Sequence, residues 1–143
     1  MTEFLLDTNV LSELERLRPA PLVARFIRGT SLNSLFLSDV VIAEIRFGIE
    51  TTSNAVRREK LVAWLETLVR PMFAGRILAV TEAILLRWRL LIEDGRRRGY
   101  TFPQPDLLIA ATAVHYRLVI VTRDVEPFER AGATVFNPWE PSS

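Results

Sequence analysis

Short apolar runs, each followed by a stretch of helical periodicity, recur along the whole chain, and this alternation limits the fold more than any other feature. Phe4-Leu5-Leu6 reads as a short buried strand, Leu35-Phe36-Leu37 as a second, 76–80 as a third and 134–136 as the last. Between the last two, 118–121 is a nearly continuous apolar run rich in β-branched residues, as expected of a strand buried on both faces. Helical patterns cover 10–16 and 22–28, separated by Pro19 and Pro21, which stop helices. Others run from Ser38 and Asp39, both good N-cap types, to about Glu50, and from Asn54 to about Val69. Thr81 is placed to cap a long helix over 82–98 that ends toward Gly99. Pro105 suits the first position of a helix over 106–116, and a short helix over 127–131 ends at Gly132. Strands that alternate with helices and lack hairpin turn signals call for a parallel sheet covered on both sides. In such sheets ligands bind beyond the carboxyl ends of the strands, so the chemistry is expected there.

With 143 residues the chain is expected to form one domain over 1–143. There is no cysteine, which excludes disulfides, thiolate nucleophiles and Cys-based metal sites together. Met1-Thr2-Glu3 lacks the basic stretch of a secretory leader, Asp7 interrupts the apolar run behind it, and no apolar stretch reaches a bilayer span. A cytoplasmic protein without membrane contact is therefore expected. The formal net charge is +1, so no global field draws the chain to nucleic acid. Every basic residue except Lys60 is an arginine, a type that forks onto phosphate but also forms ordinary ion pairs. Arg96-Arg97-Arg98 is a candidate phosphate contact, with a solvated helix end as the plainer reading.

The chemistry is concentrated in acids. Asp7 follows Phe4-Leu5-Leu6 and Asp124 follows Val119-Ile120-Val121-Thr122, so both lie just past strand ends. Either could instead be a turn or helix-cap residue, roles in which Asp is common. Glu44 lies inside Val40-Val41-Ile42-Ala43-Glu44-Ile45, beside an apolar helical stripe of Val41 and Ile45. A carboxylate there is unfavourable unless paired or metal-bound. Asp106 opens the apolar helix Leu107-Leu108-Ile109-Ala110-Ala111, where simple stabilisation of the helix dipole is the rival reading. Several carboxylates converging without compensating lysines suit Mg²⁺ or Mn²⁺, ions that acidify a bound water and offset charge on a phosphoryl oxygen. The hydroxyls of Thr8 and Thr122 flank two of these acids and could orient water or a ligand, or simply cap local backbone.

Other chemistries find little support. The single histidine, His115, has no cysteine partner and reads as an interior or interface residue. Gly95 and Gly99 bracket the arginine run without a phosphate-cradle spacing. A phospho-acceptor reading of Asp7 wants a lysine after a late strand, and Lys60 lies mid-chain. Trp64, Leu65, Leu68, Met72 and Phe73 could line a partner groove, with core packing expected for about half of them; Trp88 and Trp139 are open on the same question.

Five segments in order resemble the motifs of the PIN-domain family, over nearly the whole chain. Leu5-Leu6-Asp7-Thr8-Asn9-Val10-Leu11-Ser12-Glu13 resembles the opening motif, and Val41-Ile42-Ala43-Glu44-Ile45-Arg46-Phe47-Gly48 is similar to the second. Asp106-Leu107-Leu108-Ile109-Ala110-Ala111-Thr112-Ala113 looks like the third, and Thr122-Arg123-Asp124-Val125-Glu126-Pro127-Phe128 like the fourth. Asn137-Pro138-Trp139 resembles the close of the branch that holds the VapC-type, FitB-like toxins. The resemblance implies a PIN-like three-layer α/β/α sandwich with a central, mostly parallel sheet of about four to five strands. It implies an Mg²⁺- or Mn²⁺-dependent endoribonuclease, the toxin of a VapBC-type toxin–antitoxin module, that hydrolyses RNA with a metal-activated water. It also implies a homodimer and a VapB-type antitoxin through which the pair reaches DNA. By match to the motifs, Asp7, Glu44, Asp106 and Asp124 carry over as metal-site and catalytic residues. Thr8 and Thr122 carry over as supporting hydroxyls, and Asn9 as a residue that orders the site. The alternative from another class is a PIN-fold module that docks RNA or protein without cutting.

Overall fold

The apolar runs form strands β1 (Phe4–Leu6), β2 (Leu35–Ser38), β3 (Ile77–Leu78), β4 (Val119–Val121) and β5 (Val135–Phe136). The computed structural model describes residues 1–141; the last two residues of the domain expected over 1–143 lie outside the described residues. All four pairings are parallel, and the sheet order is β3-β2-β1-β4-β5. Parallel neighbours cannot be joined by tight turns, so every connection is helical. These helices are α1 (Thr8–Glu15), α2 (Pro21–Arg28), α3 (Asp39–Glu50), α4 (Ala55–Trp64), α5 (Arg70–Met72), α6 (Glu82–Arg97), α7 (Gln104–Tyr116) and α8 (Val125–Arg130). The expected α/β class is what the chain forms, and the sheet expected to be mostly parallel with about four to five strands has five, all parallel. Among the described residues, no helix is long and apolar enough to cross a membrane.

The core centres on β1 and β4, where Leu5, Leu6, Ile120 and Val121 have no exposed surface. Helix residues Val10, Val41, Ile109 and Phe128 close over them from several sides. Side-chain caps start the helices where Asp, Ser, Asn and Thr precede apolar periodicity. The Ser38 hydroxyl accepts from the Val41 N–H, Asn54 from Arg57, and Thr81 from Ile84.

Several boundaries differ from the sequence reading for local physical reasons. Pro21 opens α2 instead of stopping a helix, because a first-turn position needs no N–H donor. The helix expected over 10–16 begins at Thr8, since the Asp7 carboxylate caps it, and α7 starts at Gln104, one residue before Pro105. The strand expected over 76–80 contracts to Ile77–Leu78, an edge strand paired only through Leu37↔Ile77 and Ser38↔Leu78. The pattern over 54–69 is helical throughout, but α4 passes into a π-helical turn, Leu65–Val69, before α5. That wider turn carries two buried residues, Leu65 and Val69, whereas α4 buries none. Leu65 and Phe73 are thus core and Trp64 packs partly against it, while Leu68 and Met72 stay exposed.

One glycine shapes the approach to α7. Gly95 is buried in α6, and a Cβ there would stand 2.6 Å from the Phe102 ring and 2.9 Å from the Tyr100 carbonyl oxygen. The Gly95 carbonyl accepts the Tyr100 N–H at 2.8 Å, so the turn from α6 toward α7 folds directly onto this glycine. Gly48, in α3, has nothing within 4 Å of the same position. Denaturant unfolding should therefore separate the two: Gly95→Ala should lower stability by about 2 kcal/mol through overpacking. Gly48→Ala should raise it by about 0.5–1 kcal/mol through helix propensity and unfolded-state entropy.

Candidate active site

From β1 the chain builds outward through β2 and β3, then crosses back to add β4 and β5 on the other side of β1. The crevice beyond the carboxyl ends of β1 and β4 is therefore a topological switch point. Asp7 is the first residue after β1, and its N–H donates to the Val121 carbonyl at 3.0 Å. Thr122 is the first residue after β4, and its N–H donates to Phe136 at 3.1 Å. Backbone pairing thus sets the two side chains against each other. The Thr122 hydroxyl donates to Asp7 Oδ2 at 2.7 Å, and the Thr8 N–H donates to Asp7 Oδ1 at 2.8 Å. The same hydroxyl accepts from Asn9 Nδ2 and from the Asp124 N–H, both at 3.1 Å. Asn9 Oδ1 in turn accepts the Arg123 N–H at 3.4 Å, which ties the loop after β4 to the first turn of α1.

A cleft of about 600 Å³ opens above this network, and Asp7, Glu44, Asp106 and Asp124 all line it. They come from four separate segments: the end of β1, the middle of α3, the first turn of α7 and the N-cap position of α8. Asp7 caps α1 and at the same time lines the cleft. Asp124 stands at the N-cap of α8 as well, but its side chain makes no cap bond. Thr8 lines the cleft, while Thr122 is fully buried behind Asp7. Among the described residues, none of the four acids is ion-paired with an arginine or lysine. His115 lies elsewhere, accepting a bond from Arg87 Nε at 3.3 Å through Nδ1. The arginine run is a solvated helix end, with Arg96 and Arg97 on Glu93 and Arg98 on Asp94.

Residues 4–133 match the family model of the PIN domain. The chain belongs to the PIN-domain family. It is 37% identical over 137 residues to a VapC ribonuclease of Sinorhizobium fredii, covering 96% of this chain and 98% of the relative. It is 36% identical over 135 residues to the toxin FitB of Neisseria gonorrhoeae, covering 94% and 97%. Among solved structures, FitAcB from Neisseria gonorrhoeae superposes with a TM-score of 0.90 at 35% identity, over 96% of this chain and 99% of that one. FitAB bound to a DNA fragment also gives 0.90, at 33% identity over 98% of each chain.

The acids of this PIN domain strain one another. Desolvation raises the Asp7 carboxyl above its ordinary range against the opposing bonds from Thr122 and Thr8, and Asp124 and Glu44 push it further. Asp106 is lifted from 3.8 to about 6, first by desolvation and then by the negative charges of Asp7, Asp124 and Glu44. These four carboxylates, unpaired with arginine or lysine among the described residues, form an oxygen-only donor set suited to a hard divalent ion. Among the described residues no three acids close around a common point, so the fit to a metal rests on the chemistry of the donors.

The structure adds residues to which the motifs assign no role. Glu13, buried on α1, accepts from the Ala20 N–H at 3.1 Å, from the Trp139 indole N–H at 3.3 Å and from Arg16 at 3.5 Å. Burial pushes its carboxyl up, but these donors outweigh that and hold it below its ordinary value. Glu13, Arg16, Trp139 and Arg123 all line the cleft. A carboxylate among the apolar positions Val10, Leu11 and Leu14 was the available signal for Glu13.

Repulsion in the metal-free PIN domain has a measurable sign. Asp106 binds its proton more tightly folded than unfolded, so its contribution is full below pH 3.8 and lost as pH rises toward about 6. Because the group is half-exposed and screened, the loss is about 1 kcal/mol. In chelator at neutral pH, Asp106→Asn should raise Tm by about 3 to 5 °C. An unchanged or lower Tm would contradict the electrostatic account.

Proposed function

We propose that this chain is a divalent-metal-dependent endoribonuclease, the toxin of a VapBC-type toxin–antitoxin pair. The observation that carries the reading is the convergence of Asp7, Glu44, Asp106 and Asp124, free of arginine or lysine partners among the described residues, on the switch-point cleft. Relatives that align over nearly the full chain and carry the names VapC ribonuclease and toxin FitB support it.

In this reading Asp7, Glu44 and Asp106 hold the metal, with Asp124 beside them. Bound Mg²⁺ or Mn²⁺ would supply an acidified water and offset charge on a phosphoryl oxygen. The protein's part is positioning. Asp7 spends one acceptor position of each oxygen on Thr8 and Thr122, which locks its rotamer and leaves further lone pairs for a ligand. Thr122 holds Asp124 by its backbone N–H and Asn9 by its amide, so the loop after β4 keeps its register with α1. Thr8 contributes its backbone to Asp7 and a hydroxyl to the cleft wall. The solved relatives include a FitAB complex on a DNA fragment, which supports a small antitoxin through which the pair contacts DNA. A homodimer belongs to the same reading.

The test is cleavage of total cellular RNA by protein purified free of antitoxin. Wild type with Mg²⁺ or Mn²⁺ should give discrete fragments, and chelator should abolish them. Asp7→Asn should lower the rate at least about a hundredfold while far-UV circular dichroism stays unchanged. An Asp7→Asn protein as active as wild type would refute the assignment. Folded wild type that binds RNA without cutting it would make the chain a binding module.

A further inference from the structure

Four carboxylates lining one cleft repel a polyanion, so an RNA strand that reaches them needs cations beside them. Arg16 and Arg123 are the cations among the residues that line the cleft. They are joined through a shared support. Arg16 Nη1 stands 3.5 Å from Glu13 Oε1, and the Trp139 indole N–H donates to that same oxygen at 3.3 Å. The Arg123 guanidinium is held over the Trp139 ring, 5.4 Å from its centroid. The indole is itself braced, because the Trp139 N–H donates to Asn137 Oδ1 at 2.9 Å.

Arg123 is also locked to the acid cluster through its backbone. It lies between Thr122 and Asp124, and its N–H donates to Asn9 Oδ1 at 3.4 Å. Among the described residues its guanidinium has no carboxylate within ion-pair distance, whereas Arg96, Arg97 and Arg98 are each matched with an acid of their own helix. An arginine held over an aromatic face loses little further freedom on binding and keeps donor N–H groups for a phosphate. A cation placed so, beside acids that would otherwise exclude the strand, is suited to bind the strand's backbone.

We propose that Arg123, held by Trp139 and assisted by Arg16, grips a backbone phosphate of RNA flanking the bond that is cut, with Trp139 and Glu13 as positioning residues. This rests on the RNA-cleaving reading of the acid cluster. The grip acts in binding and not in the bond-breaking step, and it contacts phosphate, so it carries charge dependence without base preference.

Two readouts separate this from a structural role. In cleavage assays, Arg123→Ala should raise KM about tenfold with kcat within about twofold of wild type. In the cleavage-deficient Asp7→Asn background, binding of a fluorescein-labelled single-stranded RNA of mixed sequence is followed by anisotropy against salt. There Arg123→Ala should make the slope of log K on log salt shallower by about 0.7, the value of one lost phosphate contact. Arg123→Lys should keep the slope and lose part of the affinity, and Trp139→Ala should move toward Arg123→Ala while Trp139→Phe recovers part of the effect. Unchanged affinity and slope in both Arg123→Ala and Trp139→Ala would overturn the proposal and leave the wall to a protein partner. Failure of the catalytic reading looks different: wild type would cut nothing, yet the Arg123-dependent slope would persist.

Discussion

The hydrogen bond from the Thr122 hydroxyl to Asp7 Oδ2 is the contact on which the site depends. A carboxylate that is only 6% exposed needs donors to remain in place, and two are available, one from its own helix and one from across the sheet. Thr122 can donate across because parallel pairing in register, Leu6 opposite Val121, delivers both residues at the same level beyond the strands. Its oxygen then accepts two further donors, from Asn9 and the Asp124 backbone. One hydroxyl thus sets the position of an acid, an amide and the start of the next loop. Removing it would take a partner from Asp7, Asn9 and the Asp124 N–H at once.

Around that contact the protein gathers like charges in a partly desolvated place, an arrangement that works against folding. The rest of the molecule offsets it. Strands β1 and β4 are sealed on both faces, and the helices that carry the acids are anchored by apolar neighbours of those acids: Val41 and Ile45 beside Glu44, Leu107 and Ile109 beside Asp106. Held there, Asp7 and Asp106 bind protons more tightly than usual, first through desolvation and then through the negative charges of their neighbours. Charge stored in this form is released by whatever cation or proton the cleft accepts.

The acid buried on α1 obeys a different logic. Glu13 is a carboxylate held low by the Ala20 N–H, the Trp139 indole and Arg16, whereas burial pushes Asp7 and Asp106 up. It draws the C-terminal segment against α1 and gives the indole a fixed edge. The cleft consequently carries acids and an arginine–tryptophan pair side by side, an asymmetry suited to orienting a phosphate chain.

The alternation of apolar runs with helical periods was enough to settle a parallel α/β sheet, because burial of strands on both faces leaves its mark within a few adjacent residues. Asp7 and Asp124 stood out as acids just past apolar strands, and Glu44 and Asp106 as acids in or opening apolar helices, while the family motifs joined the four into one candidate set. Other features depended on partners far along the chain. Pro21 could be read as a stop or a start until the end of α1 was known, and the π turn at Leu65–Val69 follows from what its buried residues meet. The bond between Thr122 and Asp7 spans 115 positions, and that between Trp139 and Glu13 spans 126. The sequence by itself determined the strand and helix plan and the supply of acids, since both are written in local periodicity. Only the tertiary structure decided that the acids share one cleft and that arginine and tryptophan line it with them, because sheet order, not residue type, sets which strand ends become neighbours.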